Sequence, residues 1–537
     1  MKKLASATLA VLLGVTLYGA DEAKSKAPIV KAALFKNGYA LVTREVRQIP
    51  PKPFLIDEEI NPVHGTLWFF GASNLSVTSV ERPGTRDNEN PFGNFAATYQ
   101  NRKVTVTLRT SDNEQPRIIK GTMLRLGKSS SAASVQPYYR GQQPESYLAV
   151  KLESGELITF SKGMVLSIES DGINDKIIED KRMLLVQCDP SETPMSMNYL
   201  TFGLSWAPAY RIALSKDAKM RIDQSAVITN EIEDLAGAEV NLISGFPNLE
   251  YMRVTSPLMT ASLNQFFQQL SGQNRYQGAA TMQQMAMYNN VTLNEPTMSR
   301  GVSPLPETGA SEDIHYFPAG KVSLAKGSSV YREIASAETT YERIVEWEIP
   351  DRRSQWGTYD RNYSDKENPY GELWDAIRFK NPLKAPITTA PVEIVDGEKI
   401  LGQGTIKWVN PGQETLVKIT KSLTVTGTLN EYEIPDKSSI DYKMSGRKIV
   451  HIAGYNYRNP EVEGTLKLHN YRSTAAVAVV KLQFSGELVS AEQAPEAKVL
   501  ETGVYSVNPR RELTWELNLK PGEEVTVKYK YSVLVRM

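Results

Sequence analysis

Four histidines and one cysteine are the side chains from which a metal centre or a strong nucleophile would have to be built: His64, His315, His451, His469 and Cys188. They are scattered. No His-x-His, His-Glu-x-x-His or Cys-x-x-Cys spacing brings two ligands onto one turn or strand, so no metal site is expected. His469 is in phase with Thr465 and Lys467, which turns it toward water. Cys188 is in phase with Leu184 and Val186, the pattern of a buried strand thiol, and no basic partner is at hand to activate it. The chain has no Gly-x-Ser-x-Gly elbow and no phosphate-cradling glycine loop, so no catalytic residues and no cofactor are expected. Carboxylates are plentiful, at 61 Asp plus Glu. A glycosidase needs two of them only about 5–10 Å apart, and sequence does not say which two would meet.

One stretch has a binding character. Residues 351–374 read DRRSQWGTYDRNYSDKENPYGELW, with two Trp and three Tyr among polar residues and no clear alternation. Aromatic rings offer an apolar face with a polar tip, and sugar rings stack on such faces. Arginines grip carboxylates in bidentate fashion. Arg352, Arg353, Trp356, Tyr359 and Tyr363 are therefore the expected binding residues, with Tyr370 and Trp374 anchoring the segment to a sheet.

The elements around it are strands. In YLTFGLSWAPAY, Leu200, Phe202, Leu204 and Trp206 alternate with Thr201, Gly203 and Ser205, the period of a half-buried strand. Pro208 is expected to break or bend that strand, because proline cannot donate to a ladder. Lys216-Asp217-Ala218-Lys219 is a turn, and Met220 and Ile222 begin the return. Turn signals recur at Asn37-Gly38, Lys326-Gly327, Asp396-Gly397, Asn410-Pro411-Gly412 and Pro521-Gly522. Five short strands between 101 and 170, with Gly121 in mid-strand, suit a small bent barrel of the SH3 or Sm type. Near the end, Trp515, Leu517 and Leu519 alternate with polar residues. Val525, Val527, Tyr529 and Tyr531 do the same, so one face of this hairpin belongs to a core.

At 537 residues the chain exceeds one hydrophobic core and predicts roughly three to four domains. Formal net charge is zero at pH 7, which gives no reason to expect a nucleic-acid partner. Lys2-Lys3, the apolar run from Leu4 to Leu17, and Asp21-Glu22-Ala23-Lys24 have the layout of a secretory signal peptide, although Tyr18 is bulky for its cleavage site. No later segment approaches the apolar length of a membrane helix, so no transmembrane segment is expected after cleavage. Residues 257–313 are rich in Met, Gln, Asn, Ser and Gly, and read as a flexible insertion. Within them Leu263, Phe266, Phe267 and Leu270 have helical spacing, and Gly272 could end that helix.

Tyr199, Trp206, Pro208 and Tyr210, then Asn230, Gly245-Phe246-Pro247, Val322-Ser323-Leu324, Leu401-Gly402-Gln403-Gly404, Pro411-Gly412 and the Trp515–Tyr531 hairpin resemble a family of exported bacterial proteins described as mucoidy-inhibitor-like. The resemblance covers roughly residues 29–85 and 181–537. It implies a β-rich exported protein and carries over no catalytic residues. The 351–374 segment is longer than that pattern.

The expectation is an all-β fold of several antiparallel β-sandwich (Ig/fibronectin-like) domains with a small inserted SH3/Sm-like barrel and a disordered insertion. The divisions are a signal peptide at 1–20, an N-terminal β domain at 29–85, the barrel at 101–170, a central sandwich from 181–258 and 313–420, the insertion at 259–312 and a C-terminal sandwich at 421–537. The expected function is non-enzymatic. The protein would be exported to the periplasm or cell surface and bind a partner protein or a polysaccharide of the cell envelope. The alternative is a carbohydrate-active hydrolase with an unlocated carboxylate pair.

Overall fold

The computed structural model describes residues 23–88, 95–110, 115–124, 147–191, 193–245, 249–260, 262–271, 314–354, 357–358, 371–434, 449–501 and 507–537. The fold is all-β, with several mixed or antiparallel sheets stacked as sandwiches. Among the described residues no helix is long and apolar enough to cross a membrane.

A six-stranded sheet runs, edge to edge, through Ile314–Leu324, Leu235–Gly245, Ile29–Leu34, Tyr39–Val46, Met195–Phe202 and Trp68–Phe70. The strands of 29–85 thus form no separate sheet; they complete ones begun by 181–258 and 314–324. The Asn37-Gly38 turn behaves as its sequence requires: Leu34 pairs with Ala40, and Gly38 takes φ +88°, a conformation side chains rarely adopt. Phe54–Ile56 and Ser76–Asp87 pair with Lys176–Gln187 in a second sheet. The first apolar core, with Val42, Phe54, Leu184, Met197, Trp206 and Leu242 fully buried, lies among these strands.

Strands from Lys103 to Ser170 form a sheet of their own around Val106, Ile119, Met123, Leu148, Val150 and Phe160. Numbered by sequence, its order is 4-3-2-1-5, with the short 3-10 turn Lys162–Met164 leading into the last strand. Gly121 is a glycine because a Cβ there would collide with the Lys151 carbonyl of the next strand.

The largest sheet has ten strands. Its path runs Lys399–Ile406, Ala390–Asp396, Leu204–Leu214, Lys219–Asn230, Ser328–Ile349, Ala476–Ser485, Arg510–Leu519, Glu496–Val499; Leu373–Lys380 joins the second half of 328–349 to Glu414–Lys421. The chain enters this sheet at Gly203 (φ +115°), where it leaves the six-stranded one. Pro208 does not break the strand as expected. It pairs with Ala226 on one side, and the parallel partner on the other side begins only at Tyr210, so the missing donor is not needed. The Lys326-Gly327 turn also differs from a simple hairpin: the strands it joins go to different sheets. Asp396-Gly397 does close a hairpin, with Asp396 opposite Lys399.

The 22-residue strand Ser328–Ile349 organises the rest. Between Gln224 and Ser225 its partner register slips, leaving Ile334 as an extra residue. A bulge re-aims the side chains beyond it, and from Ala335 onward the odd positions face inward. Tyr341 packs on the second core, with Tyr210, Ile222, Ile377 and Val417. Val345 and Trp347 belong to the third, with Leu466, Leu482, Trp515 and Tyr529. That third core lies under a four-stranded sheet of Val425–Glu433, Glu461–Asn470, Glu524–Ser532 and Glu487–Ala491. Trp515 is buried and Lys528 exposed, as the alternation of the last hairpin requires.

Of the expected insertion, 261 and 272–313 lie outside the described residues. Residues 263–271 are helical, as their spacing predicts, and Phe266 meets His64 edge to face.

Candidate functional site

Polar side chains stand on the inward faces of the ten-stranded sheet at the two places where one apolar core gives way to the next. Both places have chemistry.

The first separates the first and second cores. Gln224 sits between Ile222 and Ala226 on one strand, beside Tyr210 on the next, and is 1% exposed. The Thr388 amide donates to the Tyr210 hydroxyl at 2.9 Å, and Ser244 Oγ hydrogen-bonds Thr388 Oγ1 at 2.7 Å. Lys36 Nζ donates to the same Thr388 Oγ1 and to the Thr389 carbonyl, and lies 5.7 Å from the centre of the Trp206 ring. Burial pulls the Lys36 amine down to about 7, so it is half uncharged near neutrality. Among the described residues neither polar atom of the Gln224 amide finds a partner. This seam is closed.

The second separates the second and third cores, and it is open. Arg343 stands between Tyr341 and Val345 on the inward face of its strand. Asp375 stands between Leu373 and Ile377 on the neighbouring one, where apolar phase demands a hydrophobe. Its carboxylate, with 4% of the side chain exposed, receives Arg343 Nε at 3.0 Å and Nη2 at 2.6 Å, and Arg472 Nη2 at 3.3 Å. Arg472 Nε is fixed by Thr424 Oγ1 at 2.9 Å. A carboxylate taken out of water holds its partners in one geometry because leaving it unpaired would be costly. Hydrogen bonding to Asp375 raises the Arg343 pKa further, so that guanidinium stays charged. Around this pair opens a cleft of about 660 Å³, lined also by Thr420, Lys421, Ser422 and Ser473. Lys421 pairs with Glu372. Among the described residues the Nη1 donors of Arg343 and Arg472 take no acceptor. Two guanidiniums held by one buried carboxylate, with hydroxyls around them, can receive a carboxylate, sulfate or phosphoryl group.

Of the residues singled out in the sequence, Arg352 and Arg353 lie elsewhere. Trp356, Tyr359, Tyr363 and Tyr370 fall outside the described residues. Arg353 is 8% exposed; it donates Nη1 to the Gly357 carbonyl at 2.7 Å and Nε to the Tyr531 hydroxyl at 3.3 Å. Its guanidinium lies over the Tyr531 ring. Arg352 is half-buried beside it, along a crevice enclosing about 10 Å³, room for at most a single water. Burial raises the Asp351 carboxyl there, against the hydrogen bonds from Ser485 and the Arg353 amide. Trp374 is half-buried in its strand, with Lys418 over its ring.

His469 stacks on Tyr471 at 3.9 Å and has Glu524 at 4.0 Å. Cys188 follows directly after the strand Lys176–Gln187 and is half-buried rather than a buried strand thiol; burial, then Asp189, pushes its thiol up, away from reactivity. Among the described residues no group of three or more His, Cys, Asp or Glu is placed to hold a metal.

Sequence reasoning missed Arg343, Asp375 and Arg472. The signal was present as a charge in apolar phase: Arg343 within Tyr341-x-Arg343-x-Val345-x-Trp347, and Asp375 within Leu373-x-Asp375-x-Ile377. Comparison with models of known protein families and with curated proteins finds no match to this chain.

Proposed function

We propose that this chain is a non-enzymatic, exported protein of the cell envelope that binds an acidic polysaccharide through the Arg343–Arg472 cleft. One observation carries the reading: a buried carboxylate, Asp375, holds two guanidiniums in an open cleft and leaves the Nη1 donors of each without an acceptor among the described residues. That is the bidentate chemistry by which arginine recognises carboxylates. The leader-like first twenty residues and the resemblance to the mucoidy-inhibitor-like exported family belong to the same proposal and supply its compartment.

A hydrolase would need a carboxyl kept protonated at the edge of a ligand cleft. Asp375, the one carboxylate lining this cleft among the described residues, is committed to two arginines. Asp351, whose carboxyl is raised, faces a crevice too small for a sugar. Binding is therefore favoured over hydrolysis.

The test is retention on immobilised alginate and on an uncharged dextran matrix. Replacing Arg472 with Gln and Arg343 with Lys keeps a charge on Asp375 while removing the fork. The expected result is at least a tenfold loss of alginate binding with little change in melting temperature, and a binding strength in the parent that falls with salt. Unchanged retention by the double variant would refute the assignment.

A further inference from the structure

We propose that the outward face of the ten-stranded sheet carries a second glycan site, a trough that takes an uncharged sugar chain against Tyr331. It goes beyond the acidic-polymer reading and does not depend on it.

The trough arises from side-chain size. Ala209 pairs with Ser225, and Pro391 lies one residue before the paired Tyr210 and Val392. These three short side chains form a low floor across three strands. On one side stand Tyr331, 61% exposed, and its cross-strand partner Val227, 40% exposed. On the other stand Arg211, opposite both Asp223 and Glu393, and Arg221. Glu333, opposite Ser225, closes the row. The space between holds about 570 Å³, the size of a small-ligand site. The extra residue Ile334 lies in this trough's lining, and bulges recur beside binding sites because they re-aim neighbouring side chains.

One wall is therefore aromatic and apolar, the other polar and fixed. Arg221 donates to Asp223 at 2.7 Å, Ser336 donates to the same carboxylate at 2.7 Å, and Arg211 lies 3.4 Å from Glu393. A pyranose has the same division, an apolar face of C–H groups and a rim of hydroxyls, and stacks on a tyrosine while its hydroxyls bond to ionised groups. Charge decides the class. The two arginines are matched by Asp223 and Glu393, and Glu333 makes no ion pair among the described residues. The trough carries a slight negative excess, so it repels the uronates that the arginine cleft attracts. Glu333 is left to accept sugar hydroxyls.

The experiment is calorimetric titration of the full chain with uncharged hexasaccharides of glucose, mannose, galactose and N-acetylglucosamine, and with hexagalacturonate. At least one uncharged chain is expected to bind. Tyr331→Ala should weaken it about tenfold, Tyr331→Phe should retain it, and Glu333→Gln should weaken it severalfold, with unchanged melting temperatures. The Arg343→Lys, Arg472→Gln variant should bind the uncharged chain as the parent does. Failure of every uncharged hexasaccharide to bind overturns the proposal. So does Tyr331→Ala binding like the parent, or hexagalacturonate displacing the uncharged chain. Loss of hexagalacturonate binding alone speaks only to the arginine cleft.

Discussion

The two seams between apolar cores solve one problem in opposite ways. At each, a strand of the ten-stranded sheet places a polar residue where the alternation calls for a hydrophobe: Gln224 in one, Arg343 and Asp375 in the other. Around Gln224 the seam is closed, and its other polar groups are hydroxyls that bond to one another or to backbone, and an amine whose proton is easily lost. At Asp375 the seam opens into a cleft, and two arginines face one carboxylate. A charge in a dry seam is neutralised; a charge in a wet one can be kept and used. That difference is why the second seam, not the first, is the candidate site.

The sharpest way to break the comparison is pH. The folded Lys36 amine titrates near 7, well below its unfolded value, so between about pH 7 and 10 the unfolded chain holds a proton that the folded chain lacks. Stability should therefore rise with pH across that window, by an amount on the order of 4 kcal/mol from this group, and stay flat in this term below it. Denaturant unfolding of Lys36→Met should lack the rise. An identical pH profile in the variant would show that the amine is solvated and the seam is not closed.

A smaller effect belongs to the open seam. Arg343→Ala leaves the buried Asp375 with Arg472 alone and should cost about 2–3 kcal/mol. Asp375→Ala leaves two guanidiniums that water can reach, and should cost less. The double replacement should cost at least about 1 kcal/mol less than the sum of the single ones. Additive costs would mean the pair is not coupled.

The smallest effect sharpens the contrast further. Gln224→Leu removes an amide that has no partner among the described residues from the closed seam, and should stabilise the fold by about 1 kcal/mol. A loss of stability would show that the amide is satisfied by bound water and that the seam is wet after all.

Much of the fold was legible where the signal is local. The Trp515–Tyr531 alternation, the Asn37-Gly38 and Asp396-Gly397 turns, and the helical spacing of Leu263, Phe266 and Phe267 each depend on residues a few positions apart. What was not legible is partner choice. Period-2 alternation runs unbroken through Gly203, although the chain changes sheets there. Nothing local tells Ile344–Ile349 that its parallel partner is Val477–Leu482. Arginine and aromatic content pointed to 351–374, but composition cannot tell an arginine turned onto Tyr531 from one facing a cleft. Phase could have: Arg343 and Asp375 break an apolar register, while Arg352 and Arg353 lie in no register at all.

The strand Ser328–Ile349 has a consequence for the order in which the molecule can be built. Its first half closes on Lys219–Asn230, already synthesised when it emerges, whereas its last six residues await Val477–Leu482, more than a hundred residues later. Pairing over such separations is slow, because the loop must be closed before any contact rewards it. Until then Val345, Trp347 and Ile349 stand as an uncovered apolar ribbon on an unpaired edge, the kind of surface on which nascent chains aggregate. Completion is thus gated by the arrival of the C-terminal strands, and a chain shortened before Ala476 would be exposed along the strand that joins all three cores.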